Sequence, residues 1–287
     1  MKKYRGRIAP TPTGFLHLGH ARTFLIASKR AQENNGVLIY RNEDLDPDRC
    51  KNKFVEAAAT DLRKCGIEWH EGPECGGPHA PYSQSQRLEW FQTVWQKLKA
   101  SGHIYPCNKS RKDVQNALQA PHSEACESIF PKELRPKENK TAEYDSPGNI
   151  NWRFRVPDNE VIEFTDLNLG RKSYTTMIDL GDFLVWRRDG FPSYEMAVVA
   201  DDHAMDITEV VRGEDLLVST ARQILLYRAL NWPIPDFFHC RLVCDKSGKR
   251  LAKRNNSLSL RSLFETGRWN QVKNILISES FLSLNLE

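Results

Sequence analysis

No Cys-x-x-Cys pair occurs among the seven cysteines, which stand at positions 50, 65, 75, 107, 126, 240 and 244. An odd, scattered set of this kind excludes a redox dithiol motif and an evenly paired disulfide scaffold, and it fits reduced thiols in the cytoplasm. Long apolar runs are missing: nothing reaches the length of a membrane span, and the basic N-terminal residues lead into no apolar core of signal-peptide length. A cytoplasmic protein with no membrane partner is therefore expected. Strong charge of either sign is also absent, since 41 Lys and Arg offset 37 Asp and Glu to leave a formal +4. That balance permits a polyanionic partner without requiring one. The chain shows no internal repeat, coiled-coil heptad or low-complexity tract. His17-x-x-His20 lacks the glutamate of a His-Glu-x-x-His site, which speaks against a zinc hydrolase.

The most informative segment that is present runs from Arg7 to His20, Arg-Ile-Ala-Pro-Thr-Pro-Thr-Gly-Phe-Leu-His-Leu-Gly-His. Tyr4 to Ala9 reads as a strand, the proline-rich stretch as a turn, and Ala21 to Gln32 as a helix whose first turn carries His17 and His20. A helix N-terminus exposes unpaired N–H groups and welcomes phosphate. Gly19 has no side chain, so a purine could lie against the backbone there. Two imidazoles beside a nucleotide phosphorus could donate hydrogen bonds to the charge that develops on attack. A second phosphate signal is Lys249-Arg250-Leu251-Ala252-Lys253-Arg254, a cationic loop preceded by Gly248 and suited to clamping a triphosphate.

Strand and helix alternate over the first hundred residues: Val37 to Arg41 as strand, Asn52 to Cys65 and Gln86 to Ser101 as helices, the last closed by Gly102. This rhythm predicts a parallel sheet. Residues 103 to 147 are polar and proline-rich, as in an insertion. Trp152 to Val156 and Val161 to Asp166 alternate as strands, and Arg188-Asp189-Gly190 reads as a hairpin turn between Asp182–Arg187 and Gly190–Tyr194. The apolar run Met196 to Ala200 reads as a buried strand. Asp215 to Leu230 is expected to be helical and Phe237 to Val243 extended. On a strand, Asp201, Asp202 and His203 would point to alternate faces, so a structural or substrate-orienting role is expected rather than a shared metal.

Taken together, these motifs resemble the class I aminoacyl-tRNA synthetases, and within them the glutamyl-tRNA synthetase group. The resemblance rests on Arg-x-Ala-Pro-x-Pro-Thr-Gly before His-Leu-Gly-His, Arg41-x-Glu43-Asp44-x-Asp46, Tyr194 with Ala197 to His203, Val211-Arg212-Gly213-Glu214-Asp215, and Lys249-x-Leu251-x-Lys253-Arg254. It covers residues 4 to about 265. It implies an α/β fold with a Rossmann-like parallel sheet, an inserted α+β subdomain and a short C-terminal helical segment. The expected division is 1–102 and 191–254 for the two halves of the catalytic domain, 103–190 for the insertion and 255–287 for the helical end.

The same resemblance implies that L-glutamate is condensed with ATP and the acyl group passed to RNA. His17, His20, Lys249 and Lys253 would act in catalysis, and His17, Gly19, His20, Asp215 and Lys253 would bind ATP. Arg7 and Arg212 would hold the side-chain carboxylate, Thr11 and Glu43 the α-amino end, and Tyr194 would close the pocket. Two arginines and a tyrosine favour an anionic amino acid over its amide, because unpaired buried cations are costly. Magnesium would arrive with ATP.

Two positions depart from the group's pattern. Ala252 stands where a hydroxyl residue is usual, leaving both lysines. In the insertion, Lys109, Phe130 and Leu134 occupy expected zinc-ligand positions and only Cys107 remains, so zinc is not expected unless Cys107, His122 and Cys126 form an altered set. About thirty residues follow Arg254, too few for a separate RNA-reading domain. The chain therefore resembles a stand-alone branch of the group that attaches glutamate to the queuosine base in the anticodon of tRNA(Asp). Alternatives are a truncated or split enzyme charging tRNA(Glu), and a non-catalytic RNA-binding module.

Overall fold

β1 (Arg5–Ile8) and β2 (Val37–Tyr40) pair in parallel, and α1 (Leu18–Glu33) connects them. The computed structural model describes residues 3–109, 113–114, 129–137, 140–243 and 260–278. Each of the two strands buries three of its four residues, as expected of a sheet covered on both faces. α2 (Asn52–Lys64) and α3 (Leu88–Ala100) follow. Gly102 closes the chain after α3 at φ +75°, a left-handed turn that glycine takes without Cβ strain.

Residues 103–190 contribute strands to two sheets. β3 (Ile104–Cys107), β4 (Asn151–Phe154) and β7 (Phe183–Trp186) form an antiparallel sheet in that order. β5 (Val161–Asp166) and β6 (Gly170–Thr175) form a hairpin whose first strand reaches β9 (Asp236–Cys240) at Asp166 and Phe237. β9 pairs in parallel with β8 (Glu209–Gly213). β8 lies beside β1, where Thr208 N donates to Arg5 O at 2.9 Å and Arg7 Nη1 to Val211 O at 3.0 Å. The hairpin is thus stitched to the strand that supplies His239, a link no local pattern announces.

One apolar core runs from α3 through β4 and β7 to α4 (Tyr194–Ala204) and α5 (Leu217–Ala229), with Trp95 edge-on to Trp152 at 4.8 Å. The other joins β1, β2, α1 and α2 to the C-terminal pair α6 (Leu260–Glu265) and α7 (Trp269–Leu276). Arg22 on α1 donates to the Leu276 carbonyl. Arg261 pairs with Asp61 at 3.3 Å and lies over the Phe15 ring at 4.1 Å.

Three local expectations need correction. Met196 to Ala200 is not a strand but the middle of α4. Ser193 caps that helix by accepting from Met196 N–H, and burial on nearly every side erases the helical period that would have revealed it. Asp201, Asp202 and His203 therefore follow one another on a helix. α1 begins at Leu18 rather than Ala21, with His17 as its N-cap. At Arg188–Gly190 the chain does turn, with Gly190 at φ +90° and Arg187 N donating to Phe191 O at 2.8 Å. The return arm is only a bridge between Trp186 and Pro192, so Tyr194 opens a helix instead of ending a strand.

Candidate active site

The two histidines owe their orientation to the helix they introduce. His17 Nδ1 accepts from Gly19 N–H at 3.1 Å, and His20 Nδ1 accepts from His17 N–H at 3.4 Å, which is a capping box built from imidazoles. With Nδ1 accepting in both, a neutral ring carries its proton on Nε2. The rings stack with centroids 3.8 Å apart. Gly19 serves this packing, since a Cβ there would stand 3.1 Å from the His17 ring.

Both histidines line a cavity of about 590 Å³. Arg7, Thr11, Gly19, Glu43, Tyr194, Arg212 and Asp215 line it too, so every residue expected to bind glutamate or ATP that lies in the described part meets at one place. Lys249 and Lys253 lie outside the described residues. Sequence reasoning did not assign Asp46, Arg49, Arg187 and Arg241, which also line the cavity. Arg187 ends the arm that leads into the Arg188–Gly190 turn, and its Nη2 donates to the Leu45 carbonyl at 3.2 Å.

A buried lattice of charge lies behind the cavity. Arg41, fully buried, donates to Asp202 Oδ1 at 2.7 Å and Glu43 Oε1 at 3.1 Å, while Arg7 Nε stands 3.4 Å from the same Asp202 oxygen. Asp201 receives Arg87 Nε at 2.7 Å and Gln84 Nε2 at 2.9 Å. Three arginines thus meet three carboxylates, which holds the aspartates of α4 in structural ion pairs and anchors Arg7 and Glu43 where they touch the cavity. Burial raises the Glu43 carboxyl above its usual range, with Arg41 and Arg7 opposing the shift. His203 is used otherwise, stacked on Trp232 at 3.8 Å.

Arg212 is buried, and it donates through Nε to His239 Nε2 at 3.2 Å and through Nη2 to Thr220 Oγ1 at 2.6 Å. Among the described residues its Nη1 finds no hydrogen-bond partner, and it is shielded from solvent. An unsatisfied buried N–H of a cation costs free energy until something accepts from it, so this atom is open to an acceptor.

Cys107 packs among Tyr105, Val114 and Phe130, with Leu134 against them, while His122 and Cys126 lie outside the described residues. Among the described residues no group of three or more His, Cys, Asp or Glu is placed to hold an ion. An organic clamp lies beside the apolar cluster: buried Asp182 accepts from Tyr105 Oη at 2.6 Å, from Arg135 Nε at 2.8 Å and Nη2 at 2.7 Å, and from Val156 N at 3.0 Å. We expect Arg135→Met to lower stability by about 3–5 kcal/mol, because it leaves a buried carboxylate without its cation. EDTA should leave the unfolding midpoint unchanged. Urea titrations of both samples provide the check, and a chelator-sensitive midpoint would show that zinc staples the insertion.

A parallel sheet whose first strand turns through Pro-x-Pro-x-Gly into a His-Leu-Gly-His helix start, over a cavity walled by arginines, defines a class I aminoacyl-tRNA synthetase core. Residues 3–281 match the family of tRNA synthetases class I (E and Q), catalytic domain, and the chain belongs to that family. Class I synthetases use ATP as a substrate. Within the family, the chain is 44% identical over 266 residues to the glutamyl-Q tRNA(Asp) synthetase of Symbiobacterium thermophilum, covering 91% of this chain and 81% of that protein. It is 38% identical over 271 residues to the glutamate–tRNA ligase of Sulfurihydrogenibium sp., covering 92% of this chain but 55% of that one. Among solved structures, the glutamate tRNA ligase from Elizabethkingia meningosepticum in complex with its amino acid superposes with a TM-score of 0.76 at 32% identity, covering 89% of this chain and 53% of that one. The chain spans about half the length of these two ligases. No helix among the described residues is long and apolar enough to cross a membrane.

Proposed function

We propose that this protein activates L-glutamate with ATP and transfers the glutamyl group to the queuosine base in the anticodon of tRNA(Asp), acting in the cytoplasm. In the first step a carboxylate oxygen of glutamate attacks the α-phosphorus of ATP, and pyrophosphate leaves. In the second a hydroxyl of the acceptor nucleoside attacks the acyl carbon, and AMP leaves.

The observation that carries the reading is that Arg212, whose buried Nη1 finds no partner among the described residues, lines the same cavity as the self-capped His17–His20 pair. One feature asks for a carboxylate, and the other supplies Nε2–H donors for phosphate. Arg7 and Arg212 would grip the side-chain carboxylate, with Thr11 and Glu43 at the α-amino end and Tyr194 at the mouth. Gly19 and Asp215 would contact ATP, which brings magnesium with it, and Lys249 and Lys253 would close on its phosphates. The division at residues 102, 190 and 254 belongs to the same proposal. The acceptor rests on the similarity to the glutamyl-Q enzyme. Similarity to the glutamate–tRNA ligases over 92% of the chain favours a second acceptor, the 3′ end of tRNA(Glu).

The two acceptors separate in one experiment. Glutamate-dependent exchange of labelled pyrophosphate into ATP should proceed without RNA, and labelled glutamate should then appear on the anticodon nucleoside of queuosine-containing tRNA(Asp). Exchange that strictly requires tRNA(Glu), with label on its 3′ end, would establish the ligase reading instead.

A further inference from the structure

His239 sits on β9 with no exposed surface and outside the set of cavity-lining residues, so it has no direct route to substrate. One of its hydrogen-bond partners, Arg212, nevertheless lines the cavity. The ring nitrogen Nε2 faces Arg212 Nε, a group that only donates, so Nε2 must be the bare acceptor. The proton then lies on Nδ1, 2.6 Å from Asp166 Oδ2. Asp166 has no donor role to spare: it also accepts from His239 N at 3.0 Å, Leu169 N at 2.8 Å and Asn168 N at 3.0 Å. Thr220 Oγ1 completes the triangle, 2.9 Å from His239 Nε2 and 2.6 Å from Arg212 Nη2.

We infer that His239, oriented by Asp166 and joined by Thr220, is a positioning residue that fixes the Arg212 guanidinium with Nη1 left over for the substrate carboxylate. The inference rests on the glutamate reading above. Arginine has five N–H donors and no acceptor, so acceptors on Nε and Nη2 hold the buried Arg212 guanidinium while both N–H groups of Nη1 stay unused by them. His239 is the acceptor on Nε and Thr220 the one on Nη2. The hairpin turn after β5 therefore reaches the glutamate pocket through two side chains, Asp166 and His239, although 73 residues separate them. The charged groups acting on the ring are Arg212 from β8, Arg7 from β1 and Asp166 from the end of β5. Burial holds its basicity below the ordinary histidine range, and the two arginines do so against Asp166. The ring is consequently neutral at pH 7, as an acceptor must be.

His239→Leu and His239→Gln in the full chain test this. Pyrophosphate exchange measured without RNA should show a glutamate KM raised about ten- to a hundredfold in His239→Leu, the loss of one charge-assisted contact, with the ATP KM within about twofold. His239→Gln should recover most of the glutamate KM, because an amide oxygen can replace Nε2 as acceptor. Equal damage to both substrates, or equal damage in both variants, would mean that His239 only fills space and would overturn the inference. Nitrogen NMR of histidine-labelled wild-type protein adds a readout independent of turnover. The His239 ring should be the neutral Nδ1–H tautomer at pH 7. An Nε2–H tautomer or an imidazolium would overturn the inference even in an active enzyme, whereas the expected tautomer in a protein without glutamate-dependent exchange would sink the glutamate reading alone.

Discussion

Replacing His20 with alanine will lower glutamate-dependent pyrophosphate exchange by about a hundredfold or more, the usual consequence of deleting one donor to transition-state charge. The same variant will lose stability, because His20 Nδ1 accepts the N–H of the N-cap His17. Loss of a cap costs about 0.5–2 kcal/mol, so a thermal melt must accompany the kinetics. His20→Asn distinguishes the effects: its amide oxygen can keep the cap while its donor sits elsewhere, and it should exchange slowly at near wild-type stability. Lys253→Ala should slow exchange to a similar degree. Wild-type exchange rates in both His20 variants would remove the histidines from the chemistry and leave them as helix caps.

Arg212→Ala will raise the glutamate KM by about two to three orders of magnitude, the effect of losing the charge-assisted carboxylate contact we propose for it. ATP binding should stay within about twofold. The surroundings tolerate the change better than a buried ion pair would, because Thr220 Oγ1 and His239 Nε2 already stand 2.9 Å apart and can satisfy one another. Discrimination against glutamine should shrink in the same variant, as the cation that would be left unpaired by an amide is gone. Titrating each substrate at saturating concentrations of the other is the measurement. A fall in ATP affinity with an unchanged glutamate KM would place Arg212 against the nucleotide and redraw the pocket.

The parallel start of the fold was legible because strand β1, helix α1 and strand β2 each carry their own signal in turn residues and periodicity, and the structure keeps their order. Val161–Asp166 was read to the residue, since its alternating pattern matches a half-buried strand. Met196–Ala200 was misread for a physical reason: a helix buried almost all round shows the same unbroken apolar run as an interior strand. The nine described site residues that the motifs named do share one cavity, so local sequence was a good guide to which side chains meet. It gave no guide to what holds them. Arg41 with Asp202, and Asp166 with His239, are pairs 161 and 73 residues apart whose partners become visible only when the sheet closes. Arg49 and Arg241 reach the cavity from connecting segments rather than from periodic elements, which is why spacing passed them over.

The imidazole capping box changes how these histidines should be weighed in any related chain. Groups set aside for chemistry commonly weaken the protein that carries them, and selection for activity then opposes selection for a durable fold. Under the proposed chemistry the opposition is absent at His17 and His20, since the same ring nitrogens that cap α1 fix the tautomer that chemistry would need. A descendant that abandoned catalysis would still be held to these two side chains by its helix. A surviving His-x-x-His signature therefore reports an intact helix start rather than a retained activity.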